Sequence, residues 1–248
     1  AEAQLRRFWK TVGIQPLPLN NPTSYLITLD GRPLKTPSGK KLEVPAERKV
    51  LALLIANEWE NQKEIMKVSG LPMTSLASRA LDGMSDPAIK SGVIDELLRY
   101  LDTDTTCFPS DHPSTIVRLQ KTHWEPLHAY FKETHGVDIV SYETLVLGAG
   151  KRFEQKKETK EKLKEVVLGW DEWQISALER ATYSTKSFLT AFALVDGHLT
   201  ADQAAQVALV EVQSQIELWG EVEDSHDVDH QDIRRQLGSV NCLLIKSP

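Results

Sequence analysis

The densest concentration of reactive groups in this 248-residue chain lies between Glu221 and Asp232. Six carboxylates (Glu221, Glu223, Asp224, Asp227, Asp229, Asp232) and two histidines (His226, His230) fall there, with no Lys or Arg between them. His226-Asp227 with a second histidine four residues on could hold a metal from one helical face. A second acidic pair, Asp102 and Asp104, is spaced as divalent-ion ligands can be. Taken together, Asp102, Asp104, His226 and Asp227 define one reading, a metal-dependent hydrolase. Against it, loop aspartates ordinarily bond nearby backbone and histidines often act as local caps. The rest of the chain offers no phosphate-cradling glycine loop, dinucleotide fingerprint, nucleophile elbow or paired metal-ligand cysteines. The favoured reading therefore has no catalytic residue, no metal and no cofactor. Unpaired carboxylates are too costly to bury, so the segment must face water, a metal or a basic partner.

The elements that must position this segment are helical. Thr200 and Gln203 form a capping-box pair, and Ala201, Ala205, Ala208, Val212, Ile216 and Trp219 follow at steps of three and four. Gly220 ends that helix. A preceding helix opens at Asp171 with Gln174, carries Ile175, Leu178, Ala181, Thr185, Phe188 and Phe192, and ends at Gly197. The two-residue link between them predicts antiparallel neighbours, with the acidic segment at the tip of this last hairpin. Trp219 can be a core residue of the stripe or the apolar anchor of a binding surface; its spacing allows both. On the second alternative, Glu221, Glu223 and Asp227 face the partner, and Glu211, Gln215 and Trp219 orient them from the helix.

Further helices are predicted from Asp86-Pro87, with Ile89, Val93, Leu97 and Leu101 on one side, and over 113–135, with Ile116, Trp124, Leu127 and Phe131 apolar and Gly136 as the stop. Residues 138–147 have the β-branched and aromatic content of a strand or hairpin arm. The charged run 151–165 reads as a solvated helix face. The N-terminal part is β-rich: 8–12 is aromatic and β-branched, 16–22 is a proline-broken loop, and 25–29, 32–36 and 41–44 form a small antiparallel meander turned by Asp30-Gly31 and Pro37-Ser38-Gly39. A helix from Pro45 to about Lys67, with Val50, Leu51, Leu54, Ile55 and Trp59 apolar, should cover it. The fold class is α+β, with a boundary near Ser75: a β-rich domain over 1–75 and a mainly helical bundle over 76–248.

A hydrophobic fraction of 41% suffices for a core, and a formal charge of −6 disfavours nucleic acid and favours a basic partner. Cys107 and Cys242 lie far apart without metal-type spacing, so reduced, buried thiols are expected. No run reaches the length of a membrane span. The chain begins at Ala1, which suggests a processed or trimmed form.

Several blocks carry a resemblance that physical reading alone does not supply: RRFWKTV, YLITLDGRPLKTPSGKKLEVP, IANEWENQ, MTSLASRALD, YLDTDTTCF, VDGHLTADQAA and QIELWGEVEDSHDVD. In this order they resemble the mitochondrial ATP synthase assembly chaperones that bind the alpha subunit of the soluble catalytic sector, over nearly the whole chain. The resemblance implies a non-enzymatic, nucleotide-independent chaperone that holds unassembled alpha subunit until beta subunit replaces it. It implies a mitochondrial matrix location with the presequence removed. It also implies a small β-containing domain followed by a helical one. A monomer that inserts in no membrane and binds no nucleic acid is expected.

Overall fold

The computed structural model describes residues 6–142 and 153–246. Its order of elements is α+β, a small antiparallel sheet followed by helices. Two compact units emerge. One comprises residues 1–90, 172–177 and 239–248, the other 91–171 and 178–238. The expected boundary at Ser75 falls inside a helix of the first unit, which also draws two later segments into itself.

In the first unit, strand β1 (Val12–Leu17) pairs antiparallel with β2 (Ser24–Leu29) along its full length, Val12 opposite Leu29 and Leu17 opposite Ser24. The strand thus starts where the aromatic run 8–12 stops, and it includes Pro16 from the expected loop. Proline is tolerated there because β1 is an edge strand, with one side free of ladder bonds. Asp30 and Gly31 both have positive φ, 48° and 76°, the backbone of a two-residue hairpin into β3 (Arg32–Pro33). The strand β4 (Glu43–Pro45) then returns to pair with β2 itself, Tyr25 opposite Val44, so β3 and β4 share one edge of β2 in place of a simple meander.

Helix α1 (Lys49–Glu60) covers the sheet with Leu51, Ala52 and Ile55 buried. It is shorter than expected, because a tight turn precedes it and the chain leaves at Asn61. Helix α2 (Pro72–Arg79) begins on a carboxylate: Glu58 accepts the backbone N–H groups of Met73 and Thr74 at 2.6 and 2.9 Å. It runs on into a π-helical turn, Ala80–Met84. There Asp82 accepts bonds from Thr36 Oγ1 at 2.7 Å and Ser38 N–H at 3.0 Å, tying down the second hairpin turn.

The remaining helices are α3 (Pro87–Tyr100), α4 (Ser114–His135), α5 (Lys157–Leu168), α6 (Glu172–Thr185), α7 (Phe188–Val195), α8 (Ala201–Ala208), α9 (Val210–Trp219) and α10 (His226–Leu244). Asp86 caps α3 by accepting from Ala88 and Ile89 N–H, and Gly136 ends α4 in the left-handed conformation. Residues 138–142 form no strand; 143–147 lie outside the described residues, as do Lys151 and Arg152 of the charged run. The helix expected from Asp171 to Gly197 is broken at Lys186, whose φ is +55°. The break frees Leu189 N–H and Ser187 Oγ to bond the fully buried Asp104 at 2.9 and 3.0 Å. In the second unit α4 is the central helix, in contact with α7, α8 and α9.

Candidate partner-binding site

The helix expected over 200–219 starts as predicted: Thr200 Oγ1 accepts from Gln203 N–H at 3.2 Å, and Gln203 Oε1 accepts from Thr200 N–H at 2.9 Å. It then breaks at Leu209. Of the expected apolar stripe, Ala205 is buried, Ala201, Ala208, Val212 and Ile216 are half-buried, and Trp219 is exposed. The buried positions are Ala204, Ala205, Val207, Val210 and Ser214. Trp219 is not a core residue, being 79% exposed. Gly220 follows with φ +87° and ψ 166°, a backbone open to glycine, and turns the chain away.

Three of the predicted residues come together. Glu211, Gln215 and Trp219 line one shallow groove of about 380 Å³ with Pro113, Ile116, Ser214 and Leu218. The groove lies between the start of α4 and α9, which are fastened by a hydroxyl pair, Thr115 Oγ1 to Ser214 Oγ at 2.9 Å, and by Arg118 on Glu217 at 2.5 Å. The Arg118 guanidinium holds the Glu217 carboxyl below the usual range. Deeper in, Trp124 Nε1 donates to Val207 O at 3.1 Å.

Glu221 and Glu223 lie on the exposed turn beyond Trp219, and Asp227 is in the first turn of α10. Among the described residues, Glu221, Glu223, Asp224, Asp227 and Asp229 make no ion pair, whereas Asp232 is taken by Arg235. The expected tip of a helical hairpin is therefore a short turn leading into a further long helix. That helix is anchored by buried Ile233 and Leu237, by Arg234 on Asp202 at 2.8 Å, and by Gln236 Oε1 accepting from Ser184 Oγ at 2.6 Å. Apolar groups are interleaved with the acids: Leu218 is 42%, Val222 58% and Val228 56% exposed. These residues, and Pro113 and Ile116, were missed. The signal for Val222 and Val228 was present, since each is flanked by carboxylates in a segment too acidic to be buried.

The residues of the hydrolase reading are otherwise engaged. Asp102 accepts from Gln155 N–H at 2.8 Å and Lys160 Nζ at 2.7 Å. Asp104 accepts from Thr106 N–H and Oγ1 as well as from Ser187 and Leu189, and burial pushes its carboxyl above the ordinary range. His226 Nδ1 accepts Val222 N–H at 3.0 Å, closing the turn, and Asp227 accepts from Val228 N–H. No group of three or more metal-ligating side chains occurs among the described residues. Cys107 and Cys242 are both free thiols; Cys107 is buried and its thiol is pushed up by burial, while Cys242 is half-buried.

The sequence model of the family described as "ATP12 chaperone protein" matches residues 6–132. The chain belongs to the ATP12 chaperone family. The mitochondrial protein atp12 of Schizosaccharomyces pombe is 36% identical over 244 residues, covering 96% of this chain and 81% of that protein. The mitochondrial protein ATP12 of Saccharomyces cerevisiae is 29% identical over 269 residues, covering 94% and 81%. The crystallised mutant of P. denitrificans Atp12p has the same fold, with a TM-score of 0.80 at 24% identity and 98% of each chain covered. The family match takes in the α4 side of the groove, and the yeast relatives extend the similarity across nearly the whole chain. Among the described residues no helix is long and apolar enough to cross a membrane.

Proposed function

We propose that this chain holds the unassembled alpha subunit of ATP synthase until beta subunit takes its place, in the mitochondrial matrix and without catalysing a reaction. Membership of the ATP12 family supports a role as a chaperone of ATP synthase assembly. An unassembled subunit exposes apolar and β-edge surface that aggregates unless it is covered. A substitute partner must offer an apolar platform, with charge to fix register and speed encounter. One observation supports this reading above the others: an almost fully exposed Trp219 stands at the lip of an apolar groove, and the chain leaving it carries five carboxylates without an ion-pair partner among the described residues.

In this arrangement Trp219, Leu218 and Ile116 form the platform, and Glu211 and Gln215 orient the client across the groove. Glu221, Glu223 and Asp227 receive its cationic side chains. The test is charge reversal. Glu221→Lys and Glu223→Lys should each abolish capture of purified alpha subunit in an aggregation assay while leaving thermal melting nearly unchanged, since both side chains are exposed. Full suppression of aggregation by the reversed proteins would remove these carboxylates from the client surface.

A further inference from the structure

The first unit presents a second aromatic to solvent, and it does so rigidly. Phe8 is 79% exposed, yet the residues on either side are fixed. Arg7 Nη1 donates to Glu60 O at 2.8 Å and Gln62 O at 2.7 Å, its Nε donates to Trp9 O, and its backbone N–H bonds Glu64 O at 2.9 Å. Trp9 is buried against Trp59, ring centroids 4.9 Å apart. Arg6 bridges to Ile65 on the same side. The backbone around Phe8 is thus held from both ends, and little ordering remains to oppose binding. Two further exposed apolar side chains follow on the neighbouring segment: Ile65, paired with Arg6, and Val68, three residues on at the start of a short 3-10 turn.

The charge here is opposite to that around Trp219. Arg6 and Arg7 each lie near a carboxylate, Glu64 and Glu60, both at 3.9 Å. Lys10, Lys63 and Lys67 on the same segments are exposed, with no ammonium group in an ion pair among the described residues; Asp30 lies beside Lys10 and accepts its backbone N–H, so the surplus rests on Lys63 and Lys67. An apolar patch with a cationic surplus complements a partner segment that is apolar and acidic.

We propose that the Phe8 surface is a second client contact, seating an acidic segment of the client with an apolar side chain against Phe8, Ile65 and Val68. This rests on the chaperone reading above and adds a site of opposite charge preference to it. Because the two sites want opposite charges, a client segment suited to one is repelled by the other, which fixes which part of the client goes where.

The test compares three variants of the full chain binding purified alpha subunit: Phe8→Ala, Lys63→Glu with Lys67→Glu, and Glu221→Lys. Phe8→Ala and the lysine double reversal should each weaken binding about tenfold or more with melting nearly unchanged. The lysine reversal touches only exposed side chains, so it decides the matter if Phe8→Ala proves unstable. Binding within twofold of the parent in both N-terminal variants, with Glu221→Lys still defective, would overturn this inference and leave the acidic site standing. Normal binding by all three would overturn both. If the N-terminal variants lose only association of the chain with itself in sedimentation, the occupant is a second copy and the client assignment fails.

Discussion

Truncation of Trp219 separates the two things a tryptophan on a helix can do. Were it packed in a core, Trp219→Ala would cost about 3–5 kcal/mol of stability. At 79% exposure it makes few contacts to lose, so the expected change is about 0.5 kcal/mol or less, a shift of roughly 1–2 °C in a domain of this size. Binding should respond differently. A tryptophan engulfed by a partner removes on the order of 200 Å² from water, which at about 25 cal/mol per Å² bounds its worth near 5 kcal/mol. Ordering of the interface offsets part of that, and about 2–4 kcal/mol is the range of an aromatic anchor, roughly 30- to 1000-fold in Kd. The loss should appear in the dissociation rate, because anchors hold a formed complex and contribute little to encounter. Thermal melting and surface-immobilised kinetics with alpha subunit measure the two quantities on one preparation. A melting drop of about 8 °C or more, or an unchanged dissociation rate, would refute the assignment.

Raising salt to about 1 M, where the screening length is about 3 Å, should slow association yet leave measurable affinity, because the apolar contacts of the groove are not screened; complete loss of binding would mean that charge alone carries it. The half-buried His128 of α4 provides a pH test in the second unit. Thr106 Oγ1 gives its proton to Asp104 at 2.9 Å, so the 3.2 Å contact to His128 Nε2 makes the imidazole the donor, and burial lowers its pKa from 6.5 to about 4. The unfolded chain therefore binds the extra proton between those values. Stability is full above pH 6.5 and falls as pH drops towards about 4, by roughly 3 kcal/mol in all; His128→Gln should flatten that part of the denaturation profile. Asp104→Ala leaves Leu189 N–H, Thr106 N–H and Ser187 Oγ without their buried acceptor and should cost roughly 3–5 kcal/mol in chemical denaturation, with no metal dependence in either protein.

Local signals in the chain were legible where one short-range rule governs an element. The Asp30-Gly31 hairpin, the Thr200–Gln203 capping box, the Asp86 start of α3 and the Gly136 stop of α4 all stand where their residue types place them. The misreadings came where a tertiary demand overrides a periodic pattern. Residues 171–197 are apolar enough for one continuous helix, but buried Asp104 needs donors, and the break at Lys186 supplies them from Ser187 and Leu189. The stripe after Leu199 assumes one unbroken helix, whereas the helix breaks at Leu209; of the two placements its spacing allows, Trp219 takes the exposed one. Helix α10 was overlooked although Ile233, Leu237, Val240 and Leu243 recur at helical steps and are all buried. The acidic residues ahead of them drew the reading towards a loop. The α4 side of the groove could not be found from sequence, because Pro113 and Ile116 join Trp219 only through packing some hundred residues distant along the chain.

The distribution of countercharge explains how the acidic surface coexists with a stable fold. A carboxylate in the last turn of a helix opposes the helix dipole, and one in the first turn is favoured by it, each by about 0.3–1 kcal/mol. Glu217, near the end of α9, stands at the unfavourable end, and it is the one that holds Arg118. Asp227 and Asp229 stand in the first turn of α10, where the helix itself stabilises them without a cation. Asp202 and Asp232 are used to fix α8 and α10, each through an arginine. Only the turn carboxylates Glu221, Glu223 and Asp224 have neither a cation among the described residues nor a helix N-terminus, and mutual repulsion across solvent is weak, about 1 kcal/mol or less per pair. On the proposed function, a cationic client segment would relieve that small repulsion, so charge left unpaired in the fold would favour the complex. On this surface the fold pairs the one acid that opposes a helix dipole, Glu217, and leaves the turn carboxylates uncompensated, which is what the proposed client surface requires.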